Sequence, residues 1–347
     1  MIRIGIIGCG MIAIKRHAPE YAANPNAELK GFFDVRTENA QALADQYGGR
    51  VFSDWHELAE CPDIDAVSIC APNRLHAEMA VYCLEHGKHV LCEKPMAVSL
   101  EDCEQMVEAS RRSGKILFIG QNQRLAEAHV KAKKLLEEGV IGKVLSFQSG
   151  FCHAGPEEWA KAQGKDIWFF DKRSAAFGAL FDLGIHKFDV VSDMLGGVAY
   201  RDVMATLDTL DKKKSDGTPI EVDDNAMCIV HTENGIPGFI NASWTHYGDE
   251  SNYTRFFGTK GMLRVFDDPN HPLILSVRGK SDHCFPVEKM QTNDHQFRTG
   301  IVDTFVEDIL QGRPATISGE SVLRSMRAIF AAARSSQTGE LVRVENP

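Results

Sequence analysis

Short runs rich in β-branched and aromatic residues alternate with amphipathic stretches through the first third of the chain. Ile2–Ile7, Glu28–Phe33, Ala66–Cys70, His89–Cys92 and Ile116–Ile119 read as strands. Between them Met11–Ala22, Glu38–Tyr47, His76–Glu85 and Leu100–Arg112 carry helical periodicity, and Pro19 is expected to kink or split the first of these helices. Strands alternating with helices of this length predict βαβ units and a parallel sheet covered on both faces. The rhythm changes after Gln121. A helix over Leu125–Glu137 leads through Gly139 and Gly142 to a strand at Lys143–Gly150. Then strand follows strand: Val203–Leu207, Ala226–His231, Gly238–Thr245, Thr254–Gly258, Met262–Phe266 and Leu273–Val277. Turn pairs such as Asn234-Gly235 and Lys260-Gly261 favour hairpins and a mostly antiparallel sheet. Helical pattern returns at Gln296–Leu310 and Gly319–Ala332, and the Lys- and Asp-rich loop Asp208–Val222 reads as the mobile segment.

The expected class is therefore α/β: a Rossmann domain with a doubly wound parallel sheet over residues 1–122, then an α/β domain with a large, open, mostly antiparallel sheet over residues 123–347. A chain of 347 residues is long enough for two cores. Its net charge of −10 argues against a nucleic-acid partner, which demands a surplus of Lys and Arg on one face. A dinucleotide needs no such surplus, because backbone N–H groups at a helix start hold its pyrophosphate. No apolar stretch approaches a membrane span and no secretory signal is visible. The nine cysteines are odd in number and form no CxxC pair, which suits free thiols in a reducing cytoplasm rather than a structural metal site.

The turn Gly8-Cys9-Gly10-Met11-Ile12-Ala13 follows the first strand and opens the first helix. Gly8 permits the tight turn, Gly10 lets backbone approach a pyrophosphate, and Ala13 is small enough for helix and strand to pack closely. Gly8, Gly10, Met11 and Ile12 are thus candidate cofactor contacts. Asp34 ends the second strand about twenty residues on, where a carboxylate accepts hydrogen bonds from the adenosine ribose and repels a 2′-phosphate. That favours NAD. Arg36 keeps NADP in second place, and a helix cap or turn is the bland reading of Asp34. Pro72-Asn73, with His76 three residues later, closes the third strand on the edge where a doubly wound sheet binds its ligand. The same residues also make an ordinary Pro-Asn turn into a helix.

Two clusters carry chemistry. Glu93-Lys94-Pro95 stands at the end of the next strand, where the Lys94 ammonium can hydrogen-bond a substrate hydroxyl and stabilise an alkoxide. The alternative is a solvated surface lysine. In Asp182-Leu183-Gly184-Ile185-His186-Lys187-Phe188-Asp189, helical spacing puts Asp182, His186 and Asp189 on one face. A histidine titrates near neutrality, so His186 can take the proton of an alcohol as its hydride leaves. Asp182 can orient the substrate, and Asp189 can hold the imidazole or lie exposed. A metal site ranks below acid–base work because no further ligand has convincing spacing.

With these residues in view the sequence resembles the Gfo/Idh/MocA oxidoreductases, through Gly8–Ala13, Asp34, Pro72-Asn73 with His76, Glu93-Lys94-Pro95, Gln121–Arg124, Trp168 and Asp182–Asp189. The resemblance implies that Lys94 and His186 share proton transfer while Asp182 orients substrate. It adds Glu93, Gln123 and Trp168 to the cofactor-binding set, with a core aromatic as the competing reading of Trp168. It implies a sugar, cyclitol or related polyol substrate and a homodimer or homotetramer. Two other outcomes stay open: a glycosidase or lyase working by transient sugar oxidation, and a non-catalytic NAD-binding sensor. One departure stands out. Relatives commonly carry a run of glycines before the Asp-x-Gly-x-His segment, whereas this chain reads Ser174-Ala175-Ala176-Phe177-Gly178, so Phe177 is expected to reshape the pocket.

Overall fold

The computed structural model describes residues 1–158, 167–289 and 298–346. The chain divides into two compact units, Met1–Asn122 with Gln291–Leu323, and Gln123–Met290 with Arg324–Pro347.

In the first unit the strands are β1 (Ile2–Ile7), β2 (Ala27–Phe33), β3 (Arg50–Val51), β4 (Ala66–Ile69), β5 (His89–Cys92) and β6 (Leu117–Ile119). They form one sheet in the order β3-β2-β1-β4-β5-β6, and every pairing is parallel. The order reverses between β1 and β4, which defines the switch point where such sheets bind ligands. β4 and β6 are buried along their whole length, as a sheet covered on both faces requires. Five helices alternate with the strands: α1 (Ala18–Ala23), α2 (Thr37–Tyr47), α3 (Trp55–Glu60), α4 (His76–Glu85) and α5 (Leu100–Ser113). The start of α5 shows why the chain turns helical there. Ser99 Oγ accepts from the Asp102 N–H at 3.0 Å, Glu101 and Asp102 sit at the positive end of the dipole, and Gly114 closes the helix at φ 66°.

The helix expected over Met11–Ala22 is indeed divided near Pro19. A π-helical stretch, Ala13–His17, runs into α1, and Pro19 lies in the first turn of α1, directly after the change from π to α winding. The helix expected from Gln296 begins at Ile301, after Gly300; Gln296 and Phe297 lie outside the described residues. This Ile301–Gln311 helix packs in the first unit, where Phe305 meets Phe118 edge-on at 5.8 Å. Linear reading had assigned it to the second half of the chain.

The second unit holds β7 (Val144–Cys152), β8 (Tyr200–Asp208), β9 (Asn225–Thr232), β10 (Pro237–Ser243), β11 (Ser251–Gly258), β12 (Gly261–Val265), β13 (Leu273–Val277), β14 (His283–Cys284) and β15 (Val342–Arg343). These make a nine-stranded sheet in the order β14-β13-β12-β11-β7-β10-β9-β8-β15. It is antiparallel except where β10 runs parallel to β7. Its helices are α6 (Glu127–Glu137), α7 (Lys172–Ala175), α8 (Ile185–Met194) and the long Gly319–Thr338, which counts with this unit from Arg324 on. Strand alternation gives the sheet two unlike faces. Val203, Val230, Ile240, Phe147 and Phe256 are buried on one, while Met204, Met227 and Ile229 are exposed on the other.

The loop after β8 is tethered. Asp224 accepts the backbone N–H groups of Leu210 (2.8 Å), Asp211 (2.8 Å) and Lys212 (2.9 Å), and Lys213 bridges Pro219. Its charged composition suggested mobility. The buried Asp224 carboxylate instead winds the loop around itself.

Candidate active site

The glycine turn is built as its spacing predicts. Gly8 sits at φ 91°, and a Cβ there would lie 2.6 Å from the Cys70 carbonyl oxygen, so β1 and β4 can approach only with glycine at this point. The Gly8 N–H donates to the Phe33 carbonyl at 2.8 Å, which ties the turn to the end of β2. At Gly10 a Cβ would meet no atom within 4 Å. That open floor, in front of the first helical N–H groups at Met11 and Ile12, fits a pyrophosphate. Asp34 stands beside it. One carboxylate oxygen accepts the Cys9 N–H at 2.7 Å and the other the Arg36 N–H at 2.8 Å, so Asp34 braces the turn and still keeps lone pairs for a ribose. Burial, and then the Asp34 charge, push the Cys9 thiol up to about 12, leaving it a packing residue. The Arg36 side chain is exposed.

Pro72 precedes a short 3-10 turn at Asn73–Leu75 that leads into α4. His76 is buried, with one ring nitrogen 2.8 Å from the Pro95 carbonyl and the other 2.8 Å from that of Ala71. Desolvation lowers its pKa against both of these carbonyls. The ring therefore ties the loop after β4 to the loop after β5, with both nitrogens engaged by backbone.

Glu93-Lys94-Pro95 lies at the end of β5, and its support is a chain of polar groups that sequence reading did not find. Tyr21 and Ser68 hydroxyls are 2.7 Å apart, Ser68 Oγ is 3.1 Å from His17 Nδ1, and His17 Nε2 is 2.8 Å from Glu93 Oε1. The second Glu93 oxygen accepts the Lys94 backbone N–H at 3.2 Å. Burial alone would push the Glu93 carboxyl up; the His17 bond and charge, with Arg16 and Lys94, outweigh it and bring the group down to about 2. Lys94 is half-buried directly after this anchored carboxylate.

In the second unit a π-helical stretch, Leu180–Gly184, runs into α8 and carries Asp182 and His186 four residues apart. Both are nearly buried, at 9% and 7% exposure. Asp182 Oδ2 accepts the Trp244 indole N–H at 3.1 Å. The His186 ring stands 6.0 Å from that of Phe151. Asp189 does neither thing expected of it. It is 1% exposed, and its carboxylate takes the Arg124 guanidinium through two bonds of 2.6 and 2.5 Å. Gln123 is buried too, and its Oε1 accepts from Lys187 Nζ at 3.1 Å. Lys187 is fully buried over the Phe151 ring, and burial pulls its pKa down to about 7. Trp168 is half-buried and stacks on Phe169 at 3.9 Å. Phe177 packs on Phe181 at 4.8 Å, and Ala176 holds φ 67° where a glycine would be at ease.

Among the described residues no group of three or more His, Cys, Asp or Glu is arranged to hold a metal ion, and no helix is long and apolar enough to cross a membrane.

Sheet order, glycine turn and the carboxylate that follows β2 together define a dinucleotide-binding Rossmann domain. Residues 2–121 match the NAD-binding Rossmann fold of the Gfo/Idh/MocA oxidoreductases, and residues 129–264 match the C-terminal domain of the same proteins. A levoglucosan dehydrogenase of Pseudarthrobacter phenanthrenivorans is 31% identical over 289 residues, which is 76% of this chain and 73% of the relative. A D-glucoside 3-dehydrogenase of Escherichia coli is 31% identical over 354 residues, 98% of this chain and 97% of the relative. Among solved structures, a levoglucosan dehydrogenase in complex with NADH and L-sorbose aligns with a TM-score of 0.88 at 26% identity over 99% of each chain. The chain belongs to the Gfo/Idh/MocA oxidoreductase family, and its cofactor is NAD.

Proposed function

We propose that the protein is a dehydrogenase for a secondary alcohol carbon of a sugar, cyclitol or related polyol, with Lys94 and His186 sharing proton transfer and Asp182 orienting the substrate. The observation that carries this reading is the pair Asp182 and His186, nearly buried and four residues apart on one helix, with one Asp182 oxygen already fixed by Trp244. Buried carboxylate and imidazole groups of this kind favour a hydroxylated ligand over an apolar one. The relatives' sugar and glucoside substrates support the class. NAD, when bound, supplies the hydride acceptor. Gly8, Gly10, Met11 and Ile12 would hold its pyrophosphate, and Asp34, with Arg36 beside it, would take the adenosine ribose. The loops bearing Pro72, Asn73 and His76, then Glu93 and Lys94, stand at the strand ends where the nicotinamide half would lie; Gln123 and Trp168 are kept in the cofactor-binding set on the family resemblance. As the alcohol carbon gives up its hydride, the hydroxyl proton passes to His186 and the Lys94 ammonium steadies the developing oxyanion.

The test is NADH formation from NAD with levoglucosan, methyl glucosides, aldoses and myo-inositol. Turnover of at least one supports the proposal. NAD binding without turnover on the whole panel favours a sensor, and release of a leaving group without net NADH favours the redox-neutral chemistry.

We further place the protein in the cytoplasm as a homodimer or homotetramer. All nine cysteines stand as free thiols, as a reducing compartment allows. Met204, Ile229 and Phe239 are neighbours across β8, β9 and β10 on the open face of the second sheet, and Ile229 is 56% exposed. A second copy would cover that apolar surface. Ile229→Lys is expected to lower the mass measured by light scattering; an unchanged mass removes this face from the interface.

A further inference from the structure

Asp182 is held in a frame that its own helix does not supply. The segment Asp223-Asp224, just before β9, meets the start of that helix head-on. Asp223 Oδ1 accepts the Gly178 N–H at 2.7 Å, Asp223 Oδ2 accepts the Leu180 N–H at 2.8 Å, and the Asp223 carbonyl accepts the Ala179 N–H at 2.9 Å. Three successive N–H groups at the helix entrance thus end on one residue, which satisfies donors that no helical carbonyl can reach. The approach is possible because position 178 has no side chain. A Cβ on Gly178 would lie 1.9 Å from the Asp223 carbonyl oxygen. The next residue, Asp224, accepts the Trp244 N–H through its own carbonyl at 2.7 Å, and the Trp244 indole is the group that bonds Asp182 Oδ2. One dipeptide therefore sets both the helix that carries Asp182 and His186 and the indole that aims Asp182. Both residues are buried, Asp223 at 7% exposure and Asp224 at 0%.

We propose that Asp223 is a positioning residue: its carboxylate indexes the Leu180–Gly184 turn so that Asp182 and His186 stand where a substrate hydroxyl meets them. The inference rests on the catalytic reading of Asp182 and His186 given above. Asp223 acts through the backbone N–H groups of Gly178, Ala179 and Leu180. Misplacing Asp182 and His186 by about 1 Å is enough to cost roughly 100-fold in turnover without loss of cofactor affinity.

Asp223→Asn tests this. It keeps the size and one acceptor but turns an amide donor toward Gly178 or Leu180. Asp223→Ser, which retains a single capping oxygen, is the milder variant. Two readouts are taken on each: the Trp244 indole ¹⁵N–¹H resonance, assigned with Trp244→Phe, and kcat with the fastest panel sugar beside the NAD dissociation constant by calorimetry. The expected result is a displaced indole resonance, kcat lowered roughly 100-fold in Asp223→Asn with a smaller loss in Asp223→Ser, and unchanged NAD affinity. A folded Asp223→Asn protein with the parent's indole resonance and kcat overturns the proposal. Failure of both variants to fold overturns it as well, in favour of a clamp for stability alone. Asp182→Asn and His186→Ala are run in parallel. If they keep full turnover the catalytic reading has failed, and the indole resonance alone then decides whether Asp223 sets the frame of Asp182.

Discussion

Replacing Asp189 by asparagine leaves the Arg124 guanidinium inside the second unit without its bidentate partner. The Arg124 and Asp189 side chains are 7% and 1% exposed, so water cannot take over the lost bonds. Removing one partner of a buried ion pair costs about 3–5 kcal/mol, most of it the desolvation of the charge left behind. Asp193, 3.8 Å from Arg124 and 20% exposed, offers partial compensation, which points to the lower end of that range. For a unit of this size, about 3 kcal/mol lowers the midpoint of thermal unfolding by roughly 6–12 °C. Urea denaturation followed by circular dichroism measures the loss. The double variant Arg124→Met, Asp189→Leu recovers most of it, because an apolar pair of similar volume carries no desolvation penalty. At a temperature where Asp189→Asn is folded, its turnover stays close to the parent's, since this carboxylate serves Arg124 rather than the imidazole. A stability loss below about 1 kcal/mol, the value of an exposed pair, would refute the reasoning.

Two further outcomes concern buried charge. Lys187 titrates at about 7 in the fold against 10.5 when free, so between these values folding sheds a proton and stability falls as the pH is lowered. Lys187→Met lacks this dependence and should gain about 3 kcal/mol on the parent between pH 9.5 and pH 7, levelling off about one pH unit lower; parallel stability curves would show that the amine is not desolvated. Glu93 is the opposite case. Its carboxyl is held at about 2 against 4.5 when free, so its contribution is complete above pH 4.5 and is lost as the pH falls toward 2. The advantage of the parent over Glu93→Gln should shrink by about 2 kcal/mol between pH 4.5 and pH 3 in urea titrations, and a constant difference would remove His17 as the source of the shift.

How much of this was legible beforehand follows from the range of the interactions involved. The β1 strand, its glycine turn and Asp34 lie within one local βαβ rhythm, and they were readable because hydrophobic period and turn chemistry are written in consecutive residues. Asp182 and His186 were found for the same reason. What surrounds them was not. Asp189 appeared to share their face, yet its partner Arg124 lies far away in sequence, and no periodicity announces such a pairing. Lys187 gives no sign in the sequence of its burial over the Phe151 ring. His17, Asp223 and Asp224 drew no attention, although two adjacent aspartates ahead of a strand are a weak sign of backbone capping. The loop after β8 was misjudged because its charge was weighed as solvent exposure, whereas one buried carboxylate organises it.

The central claim is that Lys94 and His186 serve one proton-transfer event, and a double-mutant cycle on kcat tests it most directly. Lys94→Ala and His186→Ala are measured singly and together, with NAD affinity followed by calorimetry. Each single change should lower kcat by about 10²–10⁴-fold with NAD binding retained, and the double variant should be little worse than either one. Losses that simply multiply, or full turnover in either single variant, would contradict the claim.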